Sequence, residues 1–165
     1  MPQDLARLLR ETIERELPHL RKLTGEQASR APRPGGWSPK EELGHLIDSA
    51  ANNHIRFAVS SIDGRFQGAG YAQDEWVALH GYRDLAWEDI VELWYRYNSL
   101  LAHLIERIPE GHMHNWCNVG KTEMTLSFVI TDYVVHLQHH VDHILTRGVV
   151  TAYPPATDRS PFVSG

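Results

Sequence analysis

Histidine is the residue type in this chain best suited to chemistry, because it accounts for 11 of the 165 residues. Four histidines lie close together in one segment, at His136, His139, His140 and His143. They form two pairs with an i, i+4 spacing, which places both side chains of a pair on one face of a helix. Two imidazoles in that arrangement can bind the same metal ion. At about 100° per residue, His136 and His140 flank the apolar stripe of the segment, so this pair is predicted to face inward.

A third candidate ligand, His45, lies in an earlier helical segment. It shares a polar face with Asp48 and Asn52, and such a face is either solvated or lines a cleft. His45 is seven residues after the predicted start of its helix, and His140 is seven residues before the predicted end of its own. Each is therefore about 10 Å from a helix end. If the two helices are antiparallel, His45 and His140 lie at the same level.

Three neutral imidazoles on one divalent ion would leave at least one coordination position open. Structural zinc sites have four protein ligands, whereas three protein ligands and a water are typical of catalytic sites. Water in the open position would have its pKa lowered to about 7 and could act as a nucleophile. A thiol could occupy the same position as the thiolate, which is its reactive form. No motif marks an aspartate or glutamate as a general base.

Other metal-binding patterns fit the sequence less well. The HExxH motif requires glutamate after its first histidine, and Leu137 stands there. The segment 139–143 resembles the inverted zincin motif HxxEH, but Asp142 replaces its glutamate. A di-iron bundle requires glutamates, and the histidine-rich helix has none. A loop group that could chelate a metal, but lacks an obvious fourth ligand, comprises His112, His114 and Cys117.

Four segments have the periodicity of amphipathic helices, and we find no convincing strand pattern. The predicted helices span about 4–23, 38–60, 87–108 and 125–147. Ser38 is the predicted N-cap of the second helix, with proline next and Glu41 three residues on, which together predict a capping box. Pro18 removes a backbone donor within the first helix, so a kink or break is expected there.

The connections between the helices predict how they are arranged. Residues 24–37 contain the prolines and glycines typical of a loop. The connection 61–84 is long and rich in aromatic residues, which indicates a packed segment with a short helical turn at 73–80. A connection of this length allows a crossover, with the second and third helices parallel and the fourth antiparallel to both. The sequence thus predicts an all-α four-helix bundle, a single domain over 1–165 with an irregular tail at 149–165.

Composition excludes several classes of protein. The chain has 42% hydrophobic and 22% charged residues, close to an ordinary globular protein. Its net charge of −5 argues against nucleic acid as a partner, because phosphate binding needs a basic surface. The single cysteine excludes a disulfide framework. We find neither a secretory signal nor an apolar run long enough to span a membrane, so we expect a cytoplasmic protein with no membrane partner.

Three segments carry motifs that are specific in combination. Residues 36–46 read GWSPKEELGHL and are similar to a GxWSxxExxxHL segment. Residues 70–76 read GYAQDEW, which is similar to a linker pattern, and residues 133–140 read YVVHLQHH, which is similar to a YxxHxxHH segment. Together these motifs resemble the DinB/YfiT-like family of proposed metalloenzymes. The resemblance covers about residues 5–145.

This resemblance implies a four-helix bundle, often a homodimer, that binds a divalent metal ion of the zinc or nickel type. The implied ligands are one histidine of the second helix and an HxxxH pair of the fourth, which correspond here to His45, His136 and His140. The chain departs from the family at His143, where the family often has glutamine.

The resemblance also implies two activities, metal-dependent thiol transfer and hydrolysis. We therefore predict a metal-dependent enzyme acting on a small molecule, with a low-molecular-weight thiol as co-substrate if it is a transferase that acts on small electrophiles. The alternative is a non-catalytic dimeric stress-response or interaction module with a structural metal or none. Thiol dependence of turnover would separate the two enzymatic activities.

Several other residues have both a functional and an ordinary structural interpretation. Candidates for supporting the ligands from nearby are Asp48, Asn52 and His143. Ordinary helix surface is the alternative for each of them, as it is for Arg56 and His139. Aromatic side chains that we expect in the core rather than at a substrate are Trp37, Trp94 and Tyr97. Cys117 is interpreted as an ordinary thiol.

Overall fold

Four long helices make up the body of the protein in a computed structural model that describes residues 1–148 and 150–153. They are α1 (Pro2–Arg21), α3 (Pro39–Asp63), α5 (Trp87–Glu106) and α6 (Leu126–Ile144). Two shorter helices, α2 (Gly25–Ala28) and α4 (Gln73–His80), lie in the connections. The predicted irregular tail, apart from residues 150–153, falls outside the described residues. The fold is the predicted four-helix bundle, and α4 confirms the predicted helical turn.

Local sequence signals determine where the two site-bearing helices begin. The Ser38 side chain accepts a hydrogen bond from the backbone N–H of Glu41, and the Glu41 carboxylate accepts one from the backbone N–H of Ser38. This reciprocal capping box satisfies two backbone donors that a helix start leaves without partners. Thr125 caps α6 by accepting a bond from the backbone N–H of Phe128. Local sequence signals therefore determine where α3 and α6 start, and with that the positions of the histidines along each helix.

Contacts at their ends show that α3 and α5 run parallel. At the start of α3, the Lys40 ammonium donates to the backbone carbonyl of Arg83, just before α5 begins. At the other end, the Ser61 hydroxyl lies 3.4 Å from Nδ1 of His112, just after α5 ends. The long connection between these helices is therefore a crossover, as the sequence predicted.

Helix α6 runs antiparallel to α3. Near its start, the backbone N–H of Leu126 donates to the carbonyl of Asn115, whose side-chain amide donates to the carbonyl of Ser60 near the end of α3. Farther along α6, His136 lies beside His45, near the start of α3. The antiparallel arrangement brings the two histidine-bearing segments to one level.

Two features of the fold differ from the sequence predictions. Helix α1 continues through Pro18 to Arg21 without a break, because packing along its buried face offsets the loss of one backbone hydrogen bond. A small parallel sheet is also present, with β1 (Arg65–Gly68) paired to β2 (Trp116–Val119). Each strand has only four residues, too few for an alternating pattern to stand out in the sequence.

The bundle core is filled by the apolar stripes of the four helices. Trp87, Trp94 and Phe57 are among its largest fully buried side chains. Tyr97 is partly buried against the same core. None of the described helices is both long and apolar enough to cross a membrane.

Candidate metal centre

Three histidines from two helices converge on one point, and we refer to His45, His136 and His140 as the three-histidine cluster. Nε2 of His45 lies 3.1 Å from Nε2 of His136. The ring centroid of His140 lies 4.9 Å from that of His45 and 4.5 Å from that of His136. One ring nitrogen from each histidine lies within 4.8 Å of the other two. The structure thus brings together all three residues that the sequence singled out.

The cluster has the donor set and spacing that a divalent ion of the zinc type requires. Two nitrogens about 2.0–2.1 Å from a tetrahedral ion lie roughly 3.3 Å apart, close to the His45–His136 distance of 3.1 Å. The three nitrogens form three close pairs. One shared hydrogen could bridge only one of these pairs, so in the other two pairs the nitrogen lone pairs would face each other. Nδ1 of His45 is also buried without a hydrogen-bond partner among the described residues. The residues fit a bound metal ion.

His45 is suited to ligation because it is fully buried in α3. Burial, together with the nearby His140, lowers the pKa of His45 to about 3. A neutral imidazole is the form that binds a metal ion. His45 is therefore in its ligating form across the whole physiological pH range.

Glu42 supports the cluster from behind His140. Its Oε1 accepts a hydrogen bond of 2.9 Å from Nδ1 of His140 and lies 3.4 Å from Nδ1 of His143. A carboxylate on one ring nitrogen fixes the tautomer and the orientation of a histidine and leaves Nε2 with its lone pair. Glu42 stands one helical turn before His45, but no motif in the sequence marks it as a partner of His140.

Two groups of potential ligands occur in residues 1–148 and 150–153. One is the three-histidine cluster, and the other is Glu42, His140 and His143. They share His140, so His143 lies at the edge of the same site. His112, His114 and Cys117, the last of which lies in β2 rather than in the predicted loop, form no such group in this part of the chain. The Cys117 thiol is fully buried, and burial raises its pKa.

The other predicted supporting residues have partners of their own. Asp48 is buried and accepts hydrogen bonds from the Tyr82 hydroxyl at 2.6 Å and from Nδ1 of His80 at 3.0 Å. Burial raises the pKa of Asp48. The Asn52 amide donates to the backbone carbonyl of Asp48, one turn earlier in α3. The contacts of Asp48 with Tyr82 and His80 brace α3 against the α4 region, whereas the Asn52 contact lies within α3.

Aromatic rings shield the cluster from two sides. The Trp37 ring centroid lies 5.0 Å from that of His45, and the Tyr153 ring centroid lies 5.0 Å from that of His136. Trp37 thus packs on the site as well as on the core. Nδ1 of His139 donates to the carbonyl of Thr151 at 2.6 Å, so His139 holds the segment after α6 in place.

A cavity of about 280 Å³ opens beside the cluster, with His136 in its wall. The apolar part of the wall includes Val119, Met124 and Phe128. The polar part includes Ser49, Asn53, Arg56, Tyr71 and Asp132. A small molecule in this cavity would lie against one of the three histidines.

This fold and site define a class of protein, namely four-helix bundles with a histidine cluster between two antiparallel helices. The sequence matches the family model of the DinB superfamily over residues 8–144. The chain belongs to the DinB superfamily.

Several curated proteins and a solved structure are similar to this chain. A protein of Oceanobacillus iheyensis is 29% identical over 149 residues, which cover 86% of this chain and 78% of the relative. YfiT of Bacillus subtilis is 28% identical over 138 residues, which cover 74% and 70%. Both bear the name "putative metal-dependent hydrolase".

The solved structure of Bacillus subtilis YfiT has a TM-score of 0.77 to this chain at 24% identity, over 88% of this chain and 86% of that one. It is described as having an unusual four-helix bundle topology. The similarity shows the four-helix-bundle fold.

Proposed function

We propose that this protein is a metal-dependent hydrolase that binds one divalent ion through His45, His136 and His140. The observation that carries the proposal is the convergence of three imidazoles, one of them held by a carboxylate, beside a cavity whose wall includes His136. The names of the relatives from Oceanobacillus iheyensis and Bacillus subtilis support the same reaction class.

The ion would act as a Lewis acid at an open position, where it lowers the pKa of a bound water or thiol. The residues of the chain determine what surrounds that position. His45 contributes a buried nitrogen, and Glu42 orients His140. Trp37 and Tyr153 restrict the approach of bulk water from two sides. The cavity beside His136 holds the small-molecule substrate.

Thiol transfer is a second candidate, because the charge of the ligand set suits a bound thiolate. Three neutral ligands leave the charge of a divalent ion uncompensated, so an anionic group is favoured at the open position. A thiolate meets that requirement as well as a deprotonated water does. A low-molecular-weight thiol is then the co-substrate, and turnover depends on its presence. Zinc and nickel both remain candidates for the ion, because imidazole binds each of them well.

Metal content measured by plasma mass spectrometry on untagged protein tests the site. The wild type is expected to carry about one metal ion per chain after zinc or nickel loading. His45→Ala and the double variant His136→Ala/His140→Ala are expected to lose it. His103→Ala, which replaces a histidine of α5 outside the cluster, is the control and should retain the ion.

Two results would contradict the proposal. One is a wild type that binds no metal after loading, and the other is full metal retention in both cluster variants. Either would favour the non-catalytic module. If the wild type binds the ion and the cluster variants lose it, assays of ester and amide hydrolysis follow. Comparing the turnover with and without added thiol then distinguishes the hydrolase from the transferase.

A further inference from the structure

An arginine that pairs with no carboxylate of the described residues lies in the wall of the cavity beside the three-histidine cluster. Arg56 is on α3, three turns beyond His45, and its side chain is half-buried. Its guanidinium donates to the side-chain oxygen of Asn53 at 3.4 Å. In the described part of the chain, Arg56 forms no ion pair with a carboxylate. A half-buried charge left in this state carries a desolvation cost that an anionic ligand would offset.

The ionisable groups that interact electrostatically with Arg56 are Tyr71 and Cys117, and they do not neutralise its charge. Burial and the charge of Asp48 raise the pKa of Tyr71 to about 12. Burial also raises the pKa of the Cys117 thiol. Both groups are therefore neutral near pH 7, so neither of them compensates the positive charge of Arg56.

The cavity joins this cation to the candidate metal centre. Arg56 and His136 both line it, and Val119, Met124 and Phe128 form apolar wall around it. The eleven residues from His45 to Arg56 correspond to roughly 16 Å along α3, and helix side chains tilt back toward the N-terminus. A ligand that reaches both ends must therefore be an extended molecule with an apolar middle.

We infer that the substrate carries a carboxylate, which Arg56 binds while the reacting group lies at the three-histidine cluster. This inference rests on the proposed function for the position of the reacting group. Arginine suits the role because its planar guanidinium can donate two parallel hydrogen bonds to a carboxylate. A single cation matches a single negative charge, and the Asp132 carboxylate in the same cavity disfavours a dianion such as a phosphate.

Paired probes that differ in one charge test the inference on the full chain. In the zinc-loaded protein, the probes are 6-mercaptohexanoate and 6-mercaptohexan-1-ol, whose thiol can occupy the open metal position. In the metal-free protein, the probes are hexanoate and hexan-1-ol. Dissociation constants come from calorimetry or from ligand-observed magnetic resonance. In both forms the wild type is expected to bind the carboxylate about 10- to 100-fold more tightly than the alcohol.

Three variants assign that preference to Arg56. Arg56→Met is expected to bind both members of each pair equally. Arg56→Lys keeps the charge but loses the paired hydrogen bonds, so it should retain a reduced preference. Arg96→Met removes an exposed arginine of α5 that pairs with Glu92, and it should behave as the wild type does. Melting temperatures show whether each variant is folded.

The possible outcomes separate this inference from the proposed function. Equal binding of carboxylate and alcohol by the wild type in both forms would overturn the inference, even if metal binding is intact. A preference that survives in Arg56→Met would also overturn it, since the carboxylate would then bind elsewhere, for example to the ion. An Arg56-dependent preference in a protein that binds no metal would support the anion site and contradict the proposed function. If Arg56→Met does not fold, the wild type and Arg56→Lys decide the result.

Discussion

The hydrogen bond between Glu42 and His140 determines which nitrogen of His140 faces the other two histidines. Because Nδ1 donates to the Glu42 carboxylate at 2.9 Å, Nε2 is left with its lone pair. The same carboxylate lies 3.4 Å from His143, so it also connects the exposed edge of the site to the buried cluster. Glu42 thus acts through His140 and is a positioning residue.

Replacing this carboxylate is expected to weaken metal binding without removing it. Glu42→Gln should lower zinc affinity about 10- to 100-fold, because an amide orients His140 less strongly and lowers its basicity as a ligand. Competition with a chromophoric chelator measures the dissociation constant. Glu14→Gln, an exposed change on α1, is the control and should leave the affinity unchanged. A wild-type affinity in Glu42→Gln would show that the hydrogen bond does not support the site.

At the scale of the helices, Gly44 allows the segment after α4 to pack closely on α3. A Cβ atom at position 44 would lie 2.2 Å from Cδ2 of Tyr82, and the Tyr82 hydroxyl is held by Asp48 at 2.6 Å. The ring therefore has little freedom to move. This close approach occurs one residue before His45, so it bears on the position of the first candidate ligand.

Gly44→Ala is expected to reduce stability despite the higher helix propensity of alanine. The propensity gain is about 1 kcal/mol, whereas overpacking against a fixed ring costs about 1–3 kcal/mol. We expect a net loss of about 1 kcal/mol in urea unfolding. Gly25→Ala is the matched control, because nothing lies within 4 Å of its Cβ position. Equal or greater stability of Gly44→Ala relative to Gly25→Ala would contradict the packing argument.

A buried carboxylate joins α1 to the end of α6. Glu16 is fully buried and accepts hydrogen bonds from Arg15 and Arg147. Burial by itself would raise the pKa of Glu16, but the hydrogen bonds from Arg147 and Arg15 outweigh it and hold the pKa below the ordinary 4.5. A carboxyl with a lowered pKa in the folded state stabilises the fold above its ordinary pKa.

Glu16→Gln is expected to lower the free energy of unfolding by about 2 kcal/mol near neutral pH, since it weakens charged hydrogen bonds. The difference from the wild type should shrink as the pH falls below about 4.5 and through the lowered pKa, where Glu16 of the wild type is also protonated. Urea unfolding over a pH series measures it. Glu11→Gln, an exposed change on α1, should have little effect at any pH. A difference that persists undiminished in acid would exclude the charge of Glu16 as its origin.

At the scale of the whole molecule, the bundle places Arg56 and one histidine of the three-histidine cluster, His136, at different points of one cavity. The arrangement requires α3 and α6 to be antiparallel, because only then do His45 and His140 meet. The crossover between α3 and α5 makes this possible in a chain of four helices. Residues on distant parts of the sequence therefore contribute to one site.

The oligomeric state is a prediction that belongs to this scale. The homodimer implied by the family resemblance should have twice the chain mass of 18.8 kDa. Light scattering coupled to size-exclusion chromatography measures the mass directly, and dilution shows whether the dimer is stable. A single species of the chain mass at all concentrations would contradict the prediction. The cytoplasmic location is likewise a prediction, for which fractionation of the source cells is the measurement.

The sequence by itself determined the features that depend on near neighbours along the chain. The capping box of Ser38 and Glu41, the four amphipathic stripes and the i, i+4 spacing of His136 and His140 are all local. Helix periodicity and capping act over three or four residues, so they can be read without a fold. The predicted four-helix bundle is confirmed, and the three predicted ligands lie together, while their binding of metal stays a proposal.

Only the tertiary structure decided how distant residues are used. The bond between Glu42 and His140 joins positions 98 residues apart, and no local pattern encodes it. The same is true of the two four-residue strands, whose stability comes from pairing with each other, and of α1, where packing overrides the effect of Pro18. Arg56 was ordinary helix surface by its sequence pattern and became a cavity residue because α6 and the α3–α5 crossover enclose it. Long-range packing sets burial and charge neutralisation, and these are the quantities on which the chemistry of the site depends.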